Sequence, residues 1–171
     1  GGREDPYPGE KRVLIPSPNV ATYDLKPEMS CREVAEEVIR AIKNEEYKLI
    51  VVNFANGDMV GHTAIKDAII LAMNELDAAL GEVVCEAIGA NVATLITADH
   101  GNCDEINNPK TGNPNTQHSK NPVPCIIIDN NKKWEIINDN GGLSNVTPTV
   151  LTLMNIPKPK EMTSDSLIKE N

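Results

Sequence analysis

The feature that most constrains the fold of this sequence is a strand-like apolar segment followed by a long helical pattern and a second apolar segment. Leu49–Phe54 is almost continuously apolar and rich in β-branched residues, as in a strand covered on both faces. Apolar residues from Ile65 to Ala87 recur at helical spacing, which predicts a long helix ending near Gly89. Val92–Thr97 is a second buried-type strand. This order predicts a βαβ unit with parallel strands, and therefore an α/β fold.

Two further elements are expected before this unit. Arg12–Ile15 is a short apolar segment that we assign as a first short strand. A helix is predicted from Cys31 to about Lys43, because apolar residues recur there every three or four positions. Ser30 and Glu33 have the spacing of a capping box at its start.

The last third of the chain adds shorter elements. Val123–Ile128 is a third strand candidate, and Trp134–Ile137 is a weaker one. Thr147 as N-cap and Pro148 at the first helical position predict a short helix through Met154. The residues after this helix are polar and proline-containing, which is typical of a surface segment.

Composition limits the classes of function. The formal net charge of −9 disfavours nucleic acid and anionic membranes as partners. No apolar run approaches the roughly 18 residues of a membrane span. The four cysteines form no CxxC pair, so we expect reduced thiols in a cytoplasmic protein. An acidic chain that handles phosphate needs local positive charge, which metal ions can supply.

The three histidines and their neighbouring aspartates are the candidate metal ligands. Asp58 and His62 follow the first buried strand and are four residues apart, so they share one face of a helical turn. Asp99 and His100 follow the second strand and could serve one ion or two neighbouring ions. His118 lies in a polar loop before the third strand. Parallel sheets bind ligands at the carboxyl ends of their strands, so we expect these groups to meet.

A set of histidines and aspartates can bind divalent metal ions, although each Asp/His pair taken alone is more simply explained without a metal. Imidazole mixed with carboxylate suits Mn²⁺, Zn²⁺ or a similar divalent ion. Two such ions about 3.5–4 Å apart form a clamp for phosphoryl transfer. An isolated Asp-x-x-x-His pair is more often a surface coincidence, and an isolated loop histidine is more often solvated. The metal hypothesis therefore depends on all three segments converging.

Six stretches of the chain, in order along nearly its whole length, match the motifs of one enzyme family. They are Gly1–Glu4, Arg12–Pro18, Val20–Asp24, Asn53–Thr63, Thr97–Asn102 and Asn121–Pro124. They closely resemble 2,3-bisphosphoglycerate-independent phosphoglycerate mutases, which belong to the alkaline phosphatase-like superfamily. The resemblance implies a three-layer sandwich with a mostly parallel central sheet, of which this chain is a part.

The resemblance also implies a domain organisation. Residues 1–30 would be a connector and first short strand returning from an inserted domain. Residues 31–171 would be the carboxyl-terminal part of the metal-binding, phosphatase-type domain. The parent would be a monomeric, cytoplasmic, glycolytic isomerase.

The family mechanism implies roles for the candidate ligands. The parent would interconvert 3-phosphoglycerate and 2-phosphoglycerate through a phosphoserine, using two divalent ions, preferably Mn²⁺. One ion would be held by Asp58, His62 and His118, and the other by Asp99 and His100 with ligands from elsewhere. The family's Gly-Asn-Ser-Glu-Val-Gly-His-like serine motif is absent, so we expect this chain to carry no catalytic nucleophile, to be inactive alone and to bind at most one ion well.

Two departures from the family pattern and two rival functions stay open at this point. Cys103 stands where a small apolar residue is expected and could bring a soft, oxidisable atom near the metals, and Ala64 replaces the usual glycine after His-Thr. One rival is another enzyme of the superfamily, such as a phosphopentomutase or a phosphatase. The other is a non-catalytic metal-binding module.

Overall fold

The computed structural model describes residues 5–171, so the motif at Gly1–Glu4 lies outside it. Along the described chain, three helices come first and three short strands follow, and a fourth helix and a fourth strand end the order; two single 3₁₀ turns lie at Tyr23–Leu25 and Leu143–Asn145. The helices are α1 (Cys31–Lys43), α2 (Asn56–Gly61), α3 (Lys66–Gly89) and α4 (Val146–Leu153), and the strands are β1 (Thr94–Thr97), β2 (Cys125–Ile128), β3 (Trp134–Ile136) and β4 (Ile168–Glu170).

The two long helices, α1 and α3, pack against each other and form the first part of the core, which confirms both predicted helices. The residues buried between them recur at helical spacing: Cys31, Ala35, Val38 and Ile42 from α1, and Ala79, Val83 and Ala87 from α3. The predicted capping box is wrong, because the Ser30 hydroxyl donates to the Pro16 carbonyl at 2.7 Å instead. None of the helices in residues 5–171 is long and apolar enough to cross a bilayer.

The strands form two antiparallel pairs, which differs from the predicted βαβ unit. β1 pairs with β2, with Thr94 opposite Ile128 and Thr97 opposite Cys125. β3 pairs with β4. Leu49–Phe54 belongs to neither sheet and to no helix, so the predicted first strand of the unit is wrong for the described chain.

The physical reason is that a strand needs a neighbour to accept and donate its backbone hydrogen bonds. Leu49–Phe54 has no strand beside it within residues 5–171, and the Val51 side chain is 84% exposed. Arg12–Ile15 also forms no strand there, and Leu14 is 90% exposed. The α/β class agrees with the observed elements, whereas the three-layer sandwich stays a prediction.

The carboxyl-terminal segment differs from its prediction in two places. α4 starts at Val146 with Asn145 as its cap, so Thr147 lies inside the helix. The end of the chain returns to the core, where Ile168 is buried and begins β4. The Thr149 hydroxyl accepts a hydrogen bond from the Leu167 backbone N–H at 2.9 Å, which ties this end of the chain to α4.

A second core cluster holds the short helix α2 against α3. Val60 of α2 is fully buried and packs with Ala68, Ile69 and Ala72 of α3. The buried Asn56 amide donates to the carbonyls of Pro27 and Glu28, at 3.0 and 2.9 Å. α2 is therefore held from two sides.

Candidate metal centre

The candidate ligands are carried by three segments that meet at one edge of the β1–β2 pair. Asp58 lies on α2, and His62 is its C-cap residue. Asp99 and His100 lie in the turn after β1, and His118 lies in the loop before β2. The end of β1 faces the start of β2, since Thr97 pairs with Cys125. The histidines therefore converge, although the neighbouring strands are antiparallel rather than parallel.

Asp58, His62 and His118 form a compact triangle of ligand atoms. Asp58 Oδ1 lies 3.1 Å from His62 Nε2 and 3.1 Å from His118 Nε2. The two imidazole Nε2 atoms are 3.3 Å apart. A divalent ion with ligands about 2.1 Å away holds adjacent ligand atoms about 3.0–3.4 Å apart in octahedral or tetrahedral geometry. The three spacings fit a common ion.

The hydrogen bond of His62 fixes which nitrogen is free to bind a metal. His62 Nδ1 lies 2.7 Å from the Thr116 carbonyl oxygen, which can only accept, so Nδ1 carries a hydrogen. In the neutral ring, Nε2 then presents a lone pair toward the Asp58 carboxylate. Two acceptors so close need a proton or a cation between them, and a backbone carbonyl on the other nitrogen is the usual support of a metal-binding histidine. Thr116 was not singled out by the sequence.

Asn102 holds the carboxylate of Asp58 in place. Its amide donates to Asp58 Oδ1 at 2.7 Å and to the Asp58 carbonyl at 3.2 Å. Burial opposes ionisation of Asp58, but the Asn102 hydrogen bond and the nearby histidines outweigh it and lower the pKa. A Cβ on Gly61 would lie 2.5 Å from the Asn102 Oδ1, so the glycine is required by close approach. Asn102 is the last residue of the Thr97–Asn102 stretch, but its contact with Asp58 depends on the fold and cannot be read from the sequence.

His100 belongs to the same cluster, and Asp99 stands at its border. The His100 ring stacks on His118, with centroids 3.6 Å apart. Asp58, His100 and His118 each offer a ligand atom, and these atoms lie within 4.8 Å of one another. Asp99 Oδ2 is 3.5 Å from His100 Nε2, and its side chain is 77% exposed. Because His100 could bind the same ion as Asp58 and His118, the assignment of each ligand to one of two ions stays a prediction.

The two unusual residues next to the centre each have a local explanation. The Cys103 thiol lies 3.5 Å from the Met73 sulfur, and its burial raises its pKa. It thus contacts α3, and its effect on metal preference stays a prediction. Ala64 has a φ of +51°, in the left-handed region where glycine is favoured, which explains why glycine suits this position.

Comparisons with known proteins show the family to which the chain belongs. Residues 1–158 match the family described as the Metalloenzyme superfamily. The chain is 49% identical over 171 residues to a 2,3-bisphosphoglycerate-independent phosphoglycerate mutase of Symbiobacterium thermophilum, covering all of this chain and 33% of that protein. It is 50% identical over 168 residues to such a mutase of Methanosarcina acetivorans, covering 98% of this chain and 32% of that protein.

The fold is also similar to that of a phosphoglycerate mutase whose structure has been solved. A phosphoglycerate mutase of Leishmania mexicana, determined at low cobalt concentration, superposes with a TM-score of 0.83 and 32% sequence identity. The match covers 92% of this chain and 31% of the other. The chain thus spans about a third of the length of the relatives that it matches.

Proposed function

The chain belongs to the Metalloenzyme superfamily, and we propose that it supplies part of the two-metal site of a cofactor-independent phosphoglycerate mutase. The proposed reaction interconverts 3-phosphoglycerate and 2-phosphoglycerate through a phosphoserine. The observation that carries the proposal is the triangle of Asp58, His62 and His118, whose spacings fit one divalent ion. The identity to named mutases along the whole chain supports the substrate class.

Different residues of this chain would bind the two ions of that site. Asp58, His62 and His118 would hold one ion, while Asp99 and His100 would contribute to the second. Divalent ions at these positions would neutralise the charge of the phosphoryl group during transfer. Asn102 orients the Asp58 carboxylate, and the Thr116 carbonyl orients His62. Mn²⁺ is our choice of ion, because imidazole mixed with carboxylate suits it; the cobalt named for the Leishmania mexicana structure fits the same class.

The proposal assigns the nucleophile to another part of the enzyme. The 171 residues contain no copy of the serine motif of the family. None of the serines of the sequence lies in such a motif, and the Ser119 hydroxyl is held by the Asp104 carboxylate in a loop junction. We therefore expect the chain alone to be inactive. A cytoplasmic location of the parent is part of the same proposal.

A chimera tests the function directly. The matching third of the Symbiobacterium thermophilum mutase is replaced by this chain, and the purified protein is incubated with 3-phosphoglycerate and Mn²⁺. We expect 2-phosphoglycerate to form, and the same chimera with His118→Ala to lose most of its activity because a ligand is removed. A folded chimera, verified by circular dichroism, that forms no 2-phosphoglycerate would contradict the proposal.

The rival enzyme function is separated in the same experiment. A phosphopentomutase or a phosphatase would instead act on a pentose phosphate or release inorganic phosphate. A pentose phosphate is therefore offered to the chimera in parallel, and the release of inorganic phosphate is measured. Turnover of the pentose phosphate, or release of inorganic phosphate, in place of the conversion of 3-phosphoglycerate would favour the rival.

A further inference from the structure

Asp104, a residue that is not among the candidate ligands, joins the two loops that carry His100 and His118. Its two carboxylate oxygens accept a hydrogen bond from the Ser119 hydroxyl, at 3.0 and 2.9 Å. Oδ2 also accepts one from the Asn121 amide at 2.7 Å. Ser119 is the residue next to His118, and Asp104 lies four residues after His100. The carboxylate therefore connects both loops directly.

The backbone supports the same junction. The Ser119 N–H donates to the Gly101 carbonyl at 2.9 Å, and the two residues form an isolated antiparallel bridge. A Cβ on Gly101 would overlap the Ser119 hydroxyl and lie 2.7 Å from Asp104 Oδ1. A Cβ at this position would therefore displace the Ser119 and Asp104 side chains from their contact. Beside this bridge, the His100 and His118 rings stack with an interplanar angle of 15°.

We propose that Asp104 and its two partners, Ser119 and Asn121, form a clamp that positions His118 for metal binding. The clamp acts through His118, because the carboxylate holds Ser119, the residue next to His118, and Asp104 is not part of the group of Asp58, His100 and His118 whose ligand atoms meet. Asp104 is therefore a positioning residue and not a ligand. The inference rests on the proposed metal site, but the position of His118 can be measured without metal.

The partners can be removed one at a time. Ser119→Ala deletes one hydrogen bond and leaves the carboxylate intact, whereas Ser119→Thr keeps the hydroxyl. Asp104→Ala deletes the whole clamp. Asp129→Ala is the matched control, since Asp129 also accepts local hydrogen bonds, among them those from Trp134 and Asn131. Unlike Asp104, Asp129 has no hydrogen bond, within the described part of the chain, to the loops that carry His100 and His118.

The first measurement is the affinity of the purified 171-residue chain for Mn²⁺, by calorimetry at fixed pH. We expect about fivefold weaker binding for Ser119→Ala and about 25-fold for Asp104→Ala, as for one and two lost hydrogen bonds. Ser119→Thr and Asp129→Ala should bind as the unaltered chain does. The double variant Asp104→Ala/Ser119→Ala should bind no worse than Asp104→Ala, because both changes break the same clamp.

The second measurement is made without metal, as the nuclear Overhauser effect between the ring protons of His100 and His118. We expect it in the unaltered chain and in Ser119→Thr, and we expect it to be lost in Ser119→Ala and Asp104→Ala. If it persists in both alanine variants, the clamp is overturned. If Asp104→Ala abolishes Mn²⁺ binding while Ser119→Ala leaves it unchanged, Asp104 is a ligand and the proposal is wrong.

The two measurements also separate this inference from the proposed function. A chain that binds no Mn²⁺ contradicts the assigned metal site and the effect of the clamp on affinity. In that case the nuclear Overhauser effect between His100 and His118 alone tests whether the clamp positions His118. Its loss in both Ser119→Ala and Asp104→Ala supports the clamp.

Discussion

The side-chain amide of Asn102 donates to Asp58 Oδ1 at 2.7 Å, across 44 residues of sequence. This bond links the turn after β1 to α2, and so joins the segment that carries His100 to the segment that carries Asp58 and His62. Asn102 is 5% exposed, and its Oδ1 is a buried polar atom without a hydrogen-bond partner in the described structure. A buried amide with one unpaired end is retained at a cost, which suggests that its paired end is needed.

Asn102→Ala should therefore weaken metal binding without removing a ligand. We expect about tenfold lower Mn²⁺ affinity, which is the usual effect of losing an outer partner of a ligating carboxylate. Asn130→Ala is the matched control, because Asn130 also donates its amide to a backbone carbonyl, that of Ile88, away from the centre. Calorimetry measures both variants. Equal affinity of the two would show that Asn102 does not support Asp58.

The ligand assignment can be tested by comparing His62→Ala with His100→Ala. His62 has its Nδ1 hydrogen held by Thr116 and its Nε2 3.1 Å from Asp58, whereas the His100 Nδ1 is 4.0 Å from the same oxygen. We expect the chain to bind one equivalent of Mn²⁺, with about 100-fold loss in His62→Ala and less than about tenfold loss in His100→Ala. The reverse order would assign the ion to Asp58, His100 and His118. Two tight equivalents would contradict the expectation that the second site is incomplete.

Helices were predictable from the sequence because their determinants are local. The burial of Ala35, Val38 and Ile42 follows from their spacing along α1. The state of Leu49–Phe54 could not be predicted in this way, because a strand depends on a partner that is distant in sequence. In the described chain this segment lines an open groove of about 480 Å³ beside α1 instead of joining a sheet.

In the candidate site, too, some residues could be predicted from the sequence and others depend on contacts between distant segments. Asp58, His62, Asp99, His100 and His118 could be selected because carboxylate and imidazole are recognisable ligand types. Their supporting partners could not be selected, because Thr116, Asn102 and Asp104 have ordinary side chains and backbone groups that act only through contacts between separate segments. β1 and β2 are antiparallel, so the rule for parallel sheets does not account for the convergence of the candidate ligands at this edge.

The four cysteines should differ in reactivity, because their environments differ. Cys31 is buried between α1 and α3, where burial and the neighbouring Glu75 raise its pKa to about 11. At neutral pH only about one in 10,000 of such thiols is a thiolate. Cys85 and Cys125 are exposed. Ellman's reagent should label two thiols of the folded chain rapidly, and Cys31 only at the rate of unfolding.

The control for this prediction is the Cys85→Ser/Cys125→Ser variant, which should lose the rapid phase and keep the slow one. Cys103 should react slowly as well, because burial raises its pKa. Rapid labelling of Cys31 in that double variant would contradict the packing between α1 and α3.

The hydrogen bond between Asp129 and Trp134 predicts a pH-dependent signal away from the metal centre. Trp134 Nε1 donates to Asp129 Oδ2 at 2.8 Å, and Trp134 is the one tryptophan of the sequence. Burial opposes ionisation of Asp129, but this bond and two backbone N–H groups outweigh it, so the pKa lies below its usual value of 3.8. A carboxyl with a lowered pKa stabilises the fold above about pH 4, and this contribution is lost as the pH falls through the lowered pKa.

Tryptophan fluorescence should therefore change below about pH 4 in the unaltered chain, as Asp129 becomes protonated and the indole loses its charged acceptor. Asp129→Asn keeps an acceptor oxygen but has no proton to gain, so its fluorescence should stay constant over the same range. Far-ultraviolet circular dichroism, recorded in parallel, distinguishes this local change from unfolding. A transition centred above pH 4, or one that persists in Asp129→Asn, would assign the signal to another group.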